Sequence, residues 1–263
     1  MNKIALVTGG SGGIGYELAK CVAKDGYDLI LVARSADKLK QIAQDFSDSF
    51  QIEVHIIQQD LSLQGAAKKV YDEASDIEGN VEILINDAGF ATFGPFTETE
   101  LESELAMMQL NMIALTHLTK LFLSDMVESG SGKIMNVAST AAFQPGPLMA
   151  VYYATKAYVL SYSEAIAEEL DGTGVSVTAL CPGPTETGFQ SRADMEDSKL
   201  VSGRDIMSAE EVAKTGYRAM MNGKRVFIPG TMNKIMAASI RFAPRKMVTS
   251  MVKKMQEREE GHE

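Results

Sequence analysis

The chain has 263 residues, of which 45% are hydrophobic and 23% charged, and its net charge is −10. That length suffices for one doubly wound sheet with its helices and a sizeable core, and the ordinary composition excludes a disordered or fibrous protein. The negative balance argues against nucleic acid as a partner, because a phosphate backbone repels the molecule's average field.

The first predicted strand lies near residues 3 to 8, around Ile4-Ala5-Leu6-Val7. A glycine turn follows, Thr8-Gly9-Gly10-Ser11-Gly12-Gly13-Ile14-Gly15, and then a helical pattern through Leu18, Ala19, Val22 and Ala23. Strand, glycine turn and helix make a phosphate site. Without a Cβ the backbone bends sharply and lies close against a pyrophosphate, and the N–H groups opening the helix point at its charge. The second predicted strand, 28 to 33, runs into Arg34 and Ser35 about twenty residues past the turn. An acidic residue there would bind an adenosine ribose and repel a 2′-phosphate. Arg34 instead offers forked donors to phosphate and a plane to stack on adenine, with Ser35 a further donor. NADP(H) is therefore favoured, with NAD(H) left open; the plain alternative is that Arg34 solvates a loop.

The third strand, 52 to 58, leads to Asp60-Leu61, where Asp60 either faces a nucleotide or caps the next helix. The fourth, 81 to 86, ends in Asn86-Asp87-Ala88-Gly89. A helical pattern over about 100 to 128 contains Asn111, and the fifth strand, 132 to 138, delivers Ser139. Tyr152 and Lys156 lie four residues apart in a helical pattern over 152 to 170, which stacks both side chains on one face. An ammonium beside a phenol favours the phenolate and brings its pKa toward the range where acid–base catalysis is efficient. The sixth strand, 175 to 181, runs into Pro182-Gly183-Pro184-Thr185-Glu186-Thr187, and the seventh falls at 225 to 228. Strands alternating with helices read as right-handed βαβ units in a parallel sheet.

Taken in order, the Thr-Gly-x-x-x-Gly-Ile-Gly turn, Asn111, Ser139, Tyr152 and Lys156 resemble the short-chain dehydrogenase/reductase (SDR) family over nearly the whole chain. Asn86-Asp87-Ala88-Gly89 is similar to that family's Asn-Asn-Ala-Gly, with Asp87 departing from it, and Pro182 to Thr187 resembles its Pro-Gly-x-x-x-Thr stretch. The resemblance implies an α/β single-domain doubly wound Rossmann fold over residues 1–263, with a seven-stranded parallel sheet of order 3-2-1-4-5-6-7. It implies an oxidoreductase acting on CH–OH groups, with Tyr152 as general acid/base and Ser139 holding the same substrate oxygen. Lys156 would lower the Tyr152 pKa and hold the nicotinamide ribose, and Asn111 would hold a water in a proton relay. The implied cofactor contacts are Gly9, Ser11, Gly12, Gly13, Ile14, Gly15, Arg34, Ser35, Asp60, Leu61, Asn86, Ala88, Gly89, Tyr152, Lys156, Pro182, Gly183, Thr185 and Thr187. The alternative is a non-catalytic nucleotide-binding scaffold or sensor with the same fold. The extended sugar epimerases share Tyr-x-x-x-Lys but carry a different glycine turn.

Tyr153, one position from the matching tyrosine, reads as packing or pocket lining. Ala141, Phe143, Gln144, Pro145, Met149 and Phe189 are candidate pocket residues, mostly apolar, which points to a hydrophobic ketone, aldehyde or alcohol. Residues 188–204 are a candidate substrate lid. Residues 230–255 read as a C-terminal helical extension, amphipathic enough to touch lipid or to pack on the domain or a second subunit, and 257–263 as a flexible tail. The two long helical patterns match those through which SDR relatives form a homodimer or homotetramer, with Leu115, Leu118, Leu121 and Phe122 either at that interface or covering the sheet. Cys21 and Cys181 have no metal or redox spacing, and His55, His117 and His262 are scattered, so no metal is expected. No apolar window has transmembrane length, and the chain starts directly in a strand rather than a secretory signal, so a cytoplasmic location is expected.

Overall fold

The computed structural model describes residues 3–188 and 206–256 and forms a seven-stranded, wholly parallel sheet in the order β3-β2-β1-β4-β5-β6-β9. Its strands are β1 (Lys3–Thr8), β2 (Asp28–Ala33), β3 (Val54–Gln58), β4 (Asn80–Asn86), β5 (Gly132–Val137), β6 (Val175–Leu180) and β9 (Val226–Phe227). This is the expected order. The last strand is numbered nine only because two short strands, β7 (Thr185–Glu186) and β8 (Met207–Ser208), precede it and pair with each other off the main sheet. Two-residue strands have no periodicity to read, and neither was anticipated.

Helices cover both faces, which is why the strands are near-continuous apolar runs. Successive strand residues alternate between the faces. Ala5, Val7, Leu29, Leu31, Ile83, Ile85 and Met135 pack with Leu18, Val22 and Leu39 from helices α1 (Gly13–Lys24) and α2 (Ala36–Phe50), and with Val212 and Met220 from α7 (Ala209–Met221). Ile4, Leu6, Ile30, Val32, Leu84 and Ile134 pack on the opposite side with Val70 of α3 (Ala66–Ser75) and with Leu118 and Phe122 of α5 (Leu115–Ser129). Each fully buried Leu, Ile or Val contributes roughly 1.5–3 kcal/mol, so the sheet core rather than helix propensity holds the site's scaffold.

One element differs from expectation. The helix predicted over 100 to 128 is α4 (Leu101–Met108) and α5 joined by a π-helical turn, Gln109–Ala114. Leu115, Leu118 and Phe122 are buried against the sheet, so they are not an outer interface; the large apolar residues left exposed there are Leu101, Leu105, Met108, Ile113 and Val127. The C-terminal extension is α8 (Thr231–Ser239), a 3-10 turn (Ile240–Phe242) and α9 (Arg245–Gln256), with Ala243-Pro244 breaking the helix between them. Apart from Gly188, the candidate lid lies outside the described residues, as do Phe189 and the tail 257–263.

Candidate active site

All seven main strands point the same way, so their carboxyl ends line one edge, and the sequence-predicted residues follow those ends. The glycine turn after β1 is built by contacts no larger residue permits. Gly9 has φ +74°, and a Cβ there would lie 2.9 Å from the Ala88 nitrogen. A Cβ on Gly15 would lie 2.5 Å from Asp87 Oδ2 and 2.6 Å from the Gly9 oxygen. The turn thus closes against the end of β4, and the Thr8 hydroxyl ties the two together by accepting the Asp87 and Ala88 N–H groups, each at 3.1 Å. Ile14 packs on the core while Ser11, Gly12 and Gly13 lie at the surface of the turn, partly exposed. A Cβ on Gly13 would meet Thr187 Cγ2 at 3.3 Å, so the Pro182–Thr187 stretch comes back to the same turn. Thr185 is buried there, its hydroxyl donating to the Gly183 carbonyl at 2.9 Å, and Gly183 lies under Asn233 of α8.

Arg34 leaves β2 half exposed, its Nη1 4.0 Å from Asp60 Oδ2. Asp60 does not cap α3, whose N-cap is Gly65. Its Oδ1 instead accepts the Ser62 N–H at 2.9 Å and the Ser62 hydroxyl at 2.7 Å. Arg34, Asp60 and Ser62 line a cavity of ≈ 360 Å³ with Phe90, Ala106 and Leu110. Ser35 stands at the N-cap of α2 with its hydroxyl making no capping bond. Leu61 is buried in the core, so only its backbone faces the edge. Lys38, which the sequence reading passed over, reaches back from the first turn of α2. Its Nζ lies 3.5 Å from where a Cβ on Gly12 would stand, a second cation beside the turn.

Asn86 is also turned inward. Its Nδ2 donates to Thr119 Oγ1 at 3.1 Å and to Asn136 Oδ1 at 2.9 Å, and Asn136 donates on to Ser163 at 3.0 Å. Asn86 and Asn136 are register partners on β4 and β5. Any contact of Asn86 with a ligand therefore falls to its backbone. Gly89 is held under Asn111: a Cβ there would meet Asn111 Oδ1 at 3.1 Å.

Ser139, Tyr152 and Lys156 come together past the end of β5. Ser139 caps the 3-10 turn Thr140–Phe143, its hydroxyl accepting the Ala141 N–H at 3.1 Å, and it also hydrogen-bonds the Tyr152 phenol. Helix α6 (Ala150–Glu169) carries Tyr152 and, one turn on, Lys156, whose Nζ lies 5.8 Å from the centre of the tyrosine ring. Lys156 is buried and donates to the Val137 carbonyl at 2.7 Å. Asn111 sits in the π-helical turn, a distortion frequent at functional sites. Its Nδ2 donates to the Phe90 carbonyl at 3.0 Å and to Thr155 Oγ1 at 3.2 Å, which joins the turn to α6.

Burial pushes the Tyr152 phenol above its ordinary value, and the Ser139 hydrogen bond pulls the other way. Burial pushes Lys156 down to about 8, opposed by the nearby Asp87 carboxylate. Burial pushes Asp87 up to about 7, against the pull of the Lys156 charge and the Gly15 N–H bonded to it. The departure at Asp87 thus puts a titratable group between the glycine turn and the lysine, visible only once the two were folded together. Tyr153 is engaged elsewhere: it is buried, and Gln256 of α9 donates to its hydroxyl. Around Tyr152 the packing is apolar, with Phe90, Phe93, Ala141, Met149 and Val151 in one cluster; Phe143 belongs to another, with Tyr158 and Tyr162. Phe90 and Phe93 were not anticipated, because nothing in their spacing marks them. Cys181 is buried, its thiol pushed up to about 12 by burial.

Comparison with known proteins agrees with this fold. The sequence model described as short chain dehydrogenase matches residues 3–198. An uncharacterized oxidoreductase of Staphylococcus epidermidis is 30% identical over 213 residues, which cover 81% of this chain and 91% of that protein. A ketoacyl reductase of Nostoc sp. is 31% identical over 221 residues, 84% of this chain and 76% of that protein. Among solved structures, a short-chain dehydrogenase from Sphingobium yanoikuyae in complex with NADPH superposes with a TM-score of 0.83 at 30% identity, covering 98% of each chain.

Proposed function

Because the chain belongs to the short-chain dehydrogenase family, oxidoreductases that act on CH–OH groups with NAD(P), we propose that it uses NADPH to reduce a hydrophobic ketone or aldehyde to the alcohol, or runs the reverse oxidation. One observation carries the reading: the Tyr152 phenol, bonded to Ser139 and one helical turn from Lys156, lies at the same sheet edge as a glycine turn that a single Cβ would fill. That turn fits a dinucleotide: Ser11, Gly12, Gly13 and Ile14 would hold the pyrophosphate through their N–H groups, while Gly9 and Gly15, whose N–H groups go to the Val32 carbonyl and to Asp87, keep the turn shut beneath it. Arg34 and Lys38 supply positive charge for a 2′-phosphate, with Ser35 beside them, and the cavity at Asp60 has room for the base. The backbone of Leu61, Asn86, Ala88 and Gly89 would border the ribose, and Pro182, Gly183, Thr185 and Thr187 the nicotinamide end. When bound, the nicotinamide supplies the hydride.

The chain's own groups do the proton chemistry. Tyr152 gives its phenolic proton to the carbonyl oxygen as negative charge develops there, and in the oxidative direction takes it from the alcohol. Ser139 donates to the same oxygen and fixes its position. Lys156 holds a positive charge next to the phenol, where it offsets the negative charge left after proton transfer. The Asn111 side chain is occupied by Phe90 and Thr155, so its part in resupplying the proton falls to its backbone carbonyl in the π-helical turn. The apolar lining of Phe90, Phe93, Ala141, Met149 and Val151 supports a substrate with a chain or ring to bury. The ketoacyl reductase relative supports an acyl-chain substrate among these. The exposed Leu101, Leu105, Met108 and Ile113 support pairing of subunits as a homodimer or homotetramer, and free Cys21 and Cys181 support the reducing cytoplasm.

The test is loss of NADPH absorbance with a panel of 3-ketoacyl thioesters, steroid ketones and aromatic aldehydes. Turnover with at least one class, and none with small hydrophilic ketones, is expected; oxidation of NADPH by no carbonyl compound would sink the reading.

A further inference from the structure

Residues 231–256 carry Lys234, Arg241, Arg245, Lys246, Lys253 and Lys254 and no Asp or Glu, in a chain whose net charge is −10. All six cations are exposed, and among the described residues none of them pairs with a carboxylate. Interleaved with them are Met232, Ile235, Met236, Phe242, Met247 and Met251, all exposed, with Phe242 at 90%. Met232, Ile235 and Met236 follow helical spacing along α8, as Met247 and Met251 do along α9. The segment is nonetheless anchored. Val248 and Val252 are buried in the cluster that includes Met107, Met149 and Tyr153, and Gln256 donates to the Tyr153 hydroxyl.

Folding has therefore spent one side of α9 on the core and left the other apolar side chains in water among like charges. Isolated exposed apolar residues are ordinary, but a concentrated set rimmed by one sign of charge marks an interaction surface. The partner must take both kinds of group at once. The headgroup layer of an anionic bilayer does so: its phosphates meet the cations and its acyl boundary takes Phe, Met and Ile. We propose that residues 231–256 dock this protein on an anionic lipid surface. A second copy of the chain fits the patch poorly, since a two-fold interface would set six cations against the same six. The apolar stripe of α4 differs in this respect, with Glu100 and Glu102 beside Leu101 and Leu105. The sequence after Gln256 turns acidic at Glu257, Glu259, Glu260 and Glu263, which bounds the basic stretch.

The experiment is flotation of the full-length protein with vesicles of phosphatidylcholine alone and of phosphatidylcholine with added phosphatidylglycerol. It needs no turnover, so it stands or falls apart from the catalytic reading. Co-flotation with the anionic vesicles only, weakening as salt is raised, is the expected result. Each cation near such a surface strengthens partition roughly fivefold, so Arg245→Glu/Lys253→Glu/Lys254→Glu should release the protein entirely. Phe242→Ser/Met247→Ser should weaken flotation at unchanged salt dependence. Circular dichroism and the melting temperature of both variants should match the parent, since these side chains are exposed. No flotation at low salt would overturn the proposal, as would equal flotation of the charge-reversed protein. So would a fall in oligomer mass by light scattering on Phe242→Ser without any vesicle binding, which would assign the patch to a protein partner.

Discussion

Lys156 donates its ammonium to the carbonyl of Val137, 2.7 Å away, which pins it to the strand whose continuation carries Ser139. The bond holds the ammonium 5.8 Å from the centre of the Tyr152 ring, and burial brings its pKa down to about 8. The positive charge is present below that value and is lost as pH rises through it. Tyr152 is raised, so its phenol keeps its proton across the same window. The reductive kcat/KM is therefore expected to fall above pH about 8. Asp87→Asn removes the carboxylate that favours the ammonium, so the fall should move to lower pH. Rate profiles from about pH 6 to about pH 10 check this, and an unmoved alkaline limb in the variant would contradict the assignment.

Tyr152 and Tyr153 are adjacent yet face different tasks, and paired substitutions separate them. Tyr152→Phe removes the proton donor and should lower kcat by about 10²- to 10⁴-fold with NADPH affinity retained. Tyr153→Phe leaves Gln256 without its acceptor and should cost stability on the order of 1 kcal/mol, with kcat nearly intact. Steady-state kinetics beside thermal melts give the answer; the reverse pattern would exchange the two roles.

Arg34 lines the Asp60 cavity, and Lys38 reaches the glycine turn at Gly12. A hydrogen bond to a charged group is worth about 1.5–3 kcal/mol, so Arg34→Ala should raise the KM for NADPH roughly ten- to hundredfold and leave NADH nearly unchanged. Lys38→Ala should act in the same direction, more weakly. Equal losses with both dinucleotides would show that neither side chain grips a 2′-phosphate.

Gly15→Ala tests how tightly the turn is shut. The added methyl would meet Asp87 Oδ2 and the Gly9 oxygen at 2.5 and 2.6 Å, so the turn must open or Asp87 must shift. Overpacking of this kind costs about 1–3 kcal/mol, and the melting temperature should fall together with dinucleotide affinity measured by fluorescence titration. Unchanged binding would mean that the turn yields without consequence.

The sheet was legible because each strand is a short apolar run bounded by turn residues; the parallel direction follows from the alternation of strand and helix, and the strand order from the family resemblance. Ser139, Tyr152 and Lys156 were legible as a set because two of them lie one helical turn apart and the third ends a strand. What could not be read depends on contacts between distant segments. The reach of Lys38 to Gly12, the closure of Gly15 on Asp87 and the inward turn of Asn86 have no local pattern. The burial that raises the Tyr152 phenol has no local pattern either, although the spacing places an ammonium nearby. The apolar stripe of α4 and α5 stayed undivided in the sequence because one helix presents residues to both sheet and solvent, and only packing apportions them.

The Asn86–Asn136 bond works as a key between two rails. A slide of β4 past β5 by a single position would turn one asparagine to the other face of the sheet and take from the Thr119 and Ser163 hydroxyls the amide donors they accept. The polar chain therefore permits one alignment only, and that alignment sets how far Gly89, beyond the first strand, stands from Ser139, beyond the second. The spacing between the two ends of the pocket is thus gauged inside the core, by groups that touch neither reactant.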